Sequence, residues 1–170
     1  MRSVNGVRAP TGYRFVRSGA SGVDYFDQQR KASKEKALKE KTECEFVGLD
    51  AEKLQTAITK RGKRKCSKVL KLSLDGGDYG SGLPTDVFSF FENITELCIV
   101  HTNLPRITLN SFSHLTVLNV VDNQLEDLDG DISMPNLVSF RCTTNKIRRI
   151  PEWLRKSSKT LTGIWVGANA

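Results

Sequence analysis

The stretch Leu115-Thr116-Val117-Leu118-Asn119-Val120-Val121-Asp122-Asn123-Gln124-Leu125-Glu126-Asp127-Leu128 decides the fold. Leu118 and Val120 alternate with Asn119, the period of a short strand that buries one side. Asn123 follows where the chain turns, and Leu125 and Leu128 add further apolar anchors. The same order returns on either side. Upstream it reads Ile94, Leu97, Ile99, Thr102, Leu104 and Ile107; downstream it reads Leu137, Phe140, Cys142, Asn145, Ile147 and Ile150. Leu161, Ile164, Val166 and Asn169 begin a fifth unit. Val69, Leu72 and Leu74 open a first one, with Gly77 in the Asn phase and Leu83-Pro84 read as its later apolar positions. The units start 25, 21, 22 and 24 residues apart, a period that marks a repeat architecture.

Each unit has a small apolar face that it cannot bury alone, so stacking must align the faces and pair the strands in parallel. Asn123, Asn145 and Asn169 sit where their amides can bond backbone groups left open at the turn, and Thr102 is expected to do part of this work in the second unit. The apolar ladder with Asn at constant phase resembles the leucine-rich-repeat family over roughly residues 69–170. Ile150-Pro151-Glu152-Trp153-Leu154 looks like the variety common in intracellular members. The resemblance implies an α/β solenoid, with a curved parallel sheet on the concave side and short helical or irregular convex segments, among them residues 112–114 and 153–156. Cys142 and Trp153 read as core. For function the resemblance is broad, because the fold carries many binding roles.

Outside the repeats the chain changes character. Residues 1–68 hold 17 Lys/Arg against 8 Asp/Glu, whereas residues 69–170 hold 9 against 11. The overall charge of +7 therefore belongs to the N-terminal part, and partners must be argued separately for each half. Residues 43–68 read as an N-terminal cap, with Cys44-Glu45-Phe46 as an irregular edge strand. A helix follows from the N-cap Asp50 to about Arg61, with Leu54, Ala57 and Ile58 on one face. Residues 1–42 read as a basic extension: a glycine-rich, mobile start over the first 23 residues, then a solvated charged helix from Asp24 to Thr42. The fifth unit breaks off at Asn169-Ala170, which predicts a segment of a longer repeat protein, or else an open end that docks on something.

No stretch approaches the roughly 18 apolar residues of a membrane span, and the start lacks a secretory signal. Cys44, Cys66, Cys98 and Cys142 are widely spaced, which suits neither a disulfide framework nor a metal site. A reducing compartment, the cytoplasm, is the expectation, and Asn93-Ile94-Thr95 is discounted as a glycosylation signal. Lys60-Arg61-Gly62-Lys63-Arg64-Lys65 reads first as a solvated loop; a nuclear-import signal or a phosphate-contacting patch are the alternatives. Tyr13, Phe15, Tyr25 and Phe26 are too distant in sequence to interleave with it. Arg2, Arg8, Arg14 and Arg17 without an acidic residue partly match a mitochondrial presequence, but Pro10 and the glycines interrupt the helix it would need.

The strand residues between the core positions form columns across the concave face. One runs Lys71, Glu96, Val117, Ser139 and Gly163; the next Ser73, Cys98, Asn119, Arg141 and Trp165; a third Asp75, Val100, Val121, Thr143 and Gly167. His101 and Asp122 lie in the column beyond. A protein-binding surface is expected at Glu96, Cys98, Val100, His101, Asn119, Val121, Asp122, Arg141, Thr143 and Trp165, where Trp and Arg stand side by side as in interaction hot spots. Catalysis has little to work with. His101 and His114 are the two histidines, and neither has a Ser or Cys partner for a nucleophilic triad. Residues 75–82 read as an insertion and lack the Lys-Ser/Thr ending of a phosphate loop. The expected function is that of a non-enzymatic adaptor or scaffold binding a protein, without cofactor, metal or small-molecule substrate. The alternatives are a nucleic-acid-associated protein using its basic N-terminal region, and a repeat segment of a larger multidomain protein.

Overall fold

A computed structural model describes residues 22–84, 86–109, 112–128, 132–157 and 159–169, and the side chains from residue 27 onward. Residues 1–21 of the predicted mobile start, the four presequence-like arginines, Tyr13 and Phe15, and the side chains of Tyr25 and Phe26 lie outside this description; Gly22 and Val23, also expected to be mobile, are helical. By its contacts the chain divides into two compact units, residues 1–36 and 37–170. What is described of the first belongs to helix α1 (Gly22–Thr42), whose described side chains up to Lys41 are exposed.

The second unit is α/β, built on one open parallel sheet. Its strands are β1 (Glu43–Val47), β2 (Lys71–Asp75), β3 (Glu96–Val100), β4 (Val117–Asn119), β5 (Ser139–Arg141) and β6 (Gly163–Trp165), hydrogen-bonded in sequence order. The register keeps the sequence phase. Cys44, Leu72, Leu97, Leu118, Phe140 and Ile164 share one row across all six strands. From Cys44 to Phe140 that row is buried in a continuous apolar core, each leucine contributing about 1.5–3 kcal/mol. Ile164 is 49% exposed and Val166 41%, because β6 is the edge and no described element packs over them.

β1 corrects the expectation of an irregular strand: all five of its residues pair in parallel with β2. After it, Asp50 caps α2 (Ala51–Arg61), its Oδ1 accepting the Lys53 N–H at 2.9 Å, and Leu54 and Ile58 are buried. Of the segments expected to be short helices or irregular turns, residues 153–156 fall in a short helix, Glu152–Lys156, and residues 112–114 form no helix; a 3₁₀ turn lies at Val87–Phe90. Ile150, predicted inside, is 61% exposed.

Each strand leaves the sheet through the same bend. Gly48, Gly76, His101, Asp122, Thr144 and Ala168 occupy equivalent positions one residue beyond the third column, all with φ between 53° and 65°. The left-handed conformation costs a non-glycine residue about 1 kcal/mol. It is compensated here because the N–H of each of the first five donates to a carbonyl of the next unit: Asp75, Val100, Val121, Thr143 and Gly167.

Beyond the bend, the Asn side chains tie neighbouring units. Asn145 Oδ1 accepts the Leu125 N–H at 3.0 Å, and its Nδ2 donates to the carbonyls of Val120, Cys142 and Thr143. Asn123 and Asn169 repeat the pattern. Thr102 does otherwise than expected. Its hydroxyl is given forward to Asn123 Oδ1 at 2.6 Å, and its backbone carbonyl accepts the Tyr79 N–H at 2.9 Å. The hydroxyl is too short for the amide's role, so the main chain takes it over.

The first unit also differs from its sequence reading. Tyr79, two residues after Gly77 as Leu125 is after Asn123, is buried to 1% exposure, and burial pushes its phenol up to about 12. Residues 75–82 are thus not a plain insertion: Tyr79 fills the apolar position assigned to Leu83, which is only half-buried. Gly77 lies against β1's loop, where a Cβ would overlap the Leu49 carbonyl oxygen and stand 3.0 Å from the Tyr79 ring. We expect Gly77→Ala to cost about 1–3 kcal/mol in urea unfolding; an unchanged midpoint would show that this packing is not there.

All four cysteines are free. Burial pushes the Cys142 thiol up to about 11, consistent with a core residue. Among the described residues, no helix is long and apolar enough to cross a membrane, and no group of three His, Cys, Asp or Glu is placed to hold a metal ion.

Candidate protein-binding face

Along β2 and β3, buried and half-buried residues alternate, so alternate side chains turn to the face opposite the core. There the register places Lys71, Glu96, Val117, Ser139 and Gly163 in one column. Ser73, Cys98, Asn119, Arg141 and Trp165 form the next. Val100, His101, Asn119, Val121, Arg141, Thr143 and Trp165 line one open depression. Of the other residues expected here, Glu96 pairs with Lys71 at 3.2 Å, Cys98 is half-buried in its column, and Asp122 stands beside His101.

Arg141 and Trp165 are in direct contact on this face. The Arg141 Cζ lies 4.6 Å from the centre of the indole, a cation–π stack. The ring lies over Gly163, where a Cβ would overlap its six-membered part. A side chain at 163 would push the indole away from the sheet. Trp165 nonetheless remains 46% exposed.

His101 bridges two carboxylates, with Nδ1 2.9 Å from Asp75 Oδ1 and Nε2 3.7 Å from Asp122 Oδ2. The hydrogen bond to Asp75, then the charges of Asp75 and Asp122, hold its pKa above the usual 6.5. A raised pKa stabilises the fold in full below the unfolded value and loses that effect as pH rises through the folded one. The stability difference between the wild type and His101→Asn (Asn also tolerates the left-handed bend) should therefore be larger at about pH 5.5 than at about pH 8.5. Equal differences in urea unfolding at both pH values would contradict this bridge. Cys98 offers no activated thiol, since burial pushes its pKa up.

The basic run is helical, where the sequence reading expected a loop: Lys60 and Arg61 end α2, and Lys63, Arg64 and Lys65 lie in α3 (Lys63–Cys66). Lys60, Lys63, Arg64 and Lys65 are exposed, and Lys63 pairs with Glu92 at 3.1 Å. Arg61 does not join them. It is half-buried, its Nε is enclosed without a hydrogen-bond partner, and its charge acts on the thiols of Cys44 and Cys66.

A second, polar trough at the strand starts was missed by sequence reasoning; Asn93, Thr95, His114, Thr116, Asn136 and Thr160 are among its lining. Five of these six side chains are engaged internally: Asn93 and Asn136 donate to the Ser67 and Ser113 carbonyls, and Thr95, Thr116 and Thr160 to those of Leu70, Thr95 and Leu137. The regular recurrence of Thr before the strands was the available signal.

A scan against protein-family models, a search of curated proteins and a search of solved structures each find no match for the chain.

Proposed function

We propose that residues 69–170 form a leucine-rich-repeat solenoid, capped at its N-terminal end by residues 43–68, and that the chain is a non-enzymatic adaptor. Its partner is a protein, held on the sheet face that carries Glu96, Cys98, Val100, His101, Asn119, Val121, Asp122, Arg141, Thr143 and Trp165. The observation that carries this reading is the open depression between Val100, Val121, Arg141 and Trp165. Its lining comes from four successive units and combines aliphatic surface with a stacked Arg–Trp pair, the residue types that dominate interface energetics. The solenoid reading is supported by the Asn ladder and by the bend that recurs in phase after every strand. Four free cysteines fit a cytoplasmic setting.

The test is a nuclease-treated pull-down with mass spectrometry, using the intact chain and a variant carrying Asp122→Arg and Arg141→Glu. Loss of a specific protein from the variant alone is the expected result; recovery of the same proteins by both baits would overturn the reading. The exposed Lys60, Lys63, Arg64 and Lys65 favour one second reading, a contact with nucleic acid. Phosphate contacts weaken steeply with salt, whereas a mixed protein interface responds mildly. Binding that disappears on nuclease treatment would support the second reading over the first.

A further inference from the structure

The chemistry of the Arg141–Trp165 pair says what the partner brings to this face. The Arg141 Cζ stands over the indole, a contact to the ring face that does not consume the guanidinium's N–H donors. Among the described residues Arg141 has no carboxylate within 4.0 Å, whereas on the neighbouring strands Lys71 is paired with Glu96, and Asp75 and Asp122 with His101. The guanidinium is thus a cation held on an aromatic platform, with no carboxylate partner among the described residues. That platform depends on Gly163, which lets the indole lie over the sheet. A carboxylate or a phosphate meets a guanidinium with two parallel hydrogen bonds.

The surroundings narrow the source of that anion. Val100 and Val121 share the depression with Arg141, so a ligand seated there places apolar surface beside its anion. Towards β1 and β2 the face carries Glu45 and Asp75, with Glu45 in register with Ser73, and Asp122 lies just beyond β4. A polyanion laid across the strands would meet these carboxylates and be repelled; a protein segment with one acidic side chain over β5 would not.

Resting on the proposed binding face, we infer that it takes an extended segment of a protein partner. The segment carries an Asp or Glu side chain on the Arg141 guanidinium and an aliphatic side chain against Val100 and Val121. Trp165 is the positioning residue that holds the guanidinium for this contact.

Display of random linear peptides of about twelve residues, long enough to cross six strands about 4.8 Å apart, tests this directly. The baits are the intact chain, Arg141→Glu, Arg141→Gln and Trp165→Ala, each verified as folded by circular dichroism. Arg141 is exposed, so the fold does not depend on it. Selected peptides should share an acidic residue next to an aliphatic one. Fluorescence polarisation of these peptides should show at least about tenfold weaker binding to Arg141→Gln, and Arg141→Glu should select Lys or Arg in place of the acid. Peptides that need Val100 or Arg141 yet show no acidic preference would overturn this inference and leave the face reading intact. Peptides indifferent to Arg141, Trp165, Val100 and Val121 would overturn both, and failure of every bait to select any peptide would overturn the extended-segment inference.

Discussion

Replacing Asn123 by alanine is expected to lower the unfolding free energy by about 3–6 kcal/mol, enough to bring a domain of ordinary stability close to unfolding. The side chain is buried to 3% exposure between the second and third units. Its Oδ1 accepts from the Thr102 hydroxyl at 2.6 Å and from the N–H groups of Leu104 at 3.1 Å and Thr102 at 3.3 Å. Its Nδ2 donates to the carbonyls of Ile99, Val121 and Val120. Alanine leaves these groups without partners where water does not reach, and each orphaned group costs about 1–3 kcal/mol. The losses fall short of a simple sum because Nδ2 has two hydrogens for three carbonyls. Asn145→Ala should cost nearly as much, and Asn169→Ala the least, since that residue is only half-buried. Urea unfolding measures the series; a loss below about 1 kcal/mol for Asn123→Ala would show that the amide ladder does not hold the units together.

Phe140→Ala should cost about 3–5 kcal/mol, the range for removing a fully enclosed aromatic ring. Phe140 is the one aromatic in a row otherwise made of Cys44, three leucines and Ile164. Its ring meets Trp153 edge to face at 5.7 Å and 75°, and Trp153 Nε1 donates to the Leu128 carbonyl at 2.7 Å. One ring therefore joins the sheet to the segment that returns after it. Ile164 supplies an internal control: it stands in the same row but is 49% exposed, so Ile164→Ala should cost less than about 1.5 kcal/mol. Equal effects at the two positions would contradict the described burial of the row.

Much of this arrangement was legible in the sequence because period and burial are directly linked. Leu97, Ile99, Leu118, Val120, Phe140 and Cys142 alternate with half-buried or exposed positions, and that alternation is both the strand signal and the core. The columns Glu96–Val117–Ser139 and Cys98–Asn119–Arg141 followed, since parallel pairing without a shift preserves phase. Asp50 was legible as a cap because its role is local, met by an N–H three residues on. What escaped was set by neighbours distant in sequence. Gly77 answers to the Leu49 carbonyl, and Tyr79 takes a leucine's place in a glycine-rich stretch that reads as loop. Neither the left-handed bend at His101, Asp122 and Thr144 nor the withdrawal of Arg61 from the basic cluster has a residue-type signature. Ile150 kept the apolar phase and is nonetheless exposed, because phase assigns a side and not a covering layer.

Site-specific photo-crosslinking tests the binding face most directly. A photoreactive residue is placed at Asn119 in the depression, at His114 in the polar trough, or at Lys60 in the basic run, and each chain is irradiated with the protein recovered in the pull-down. Crosslinking through Asn119, with little through His114 or Lys60, is the predicted result. Crosslinking through Lys60 or His114 while Asn119 stays silent would place the partner elsewhere on the molecule and contradict the account.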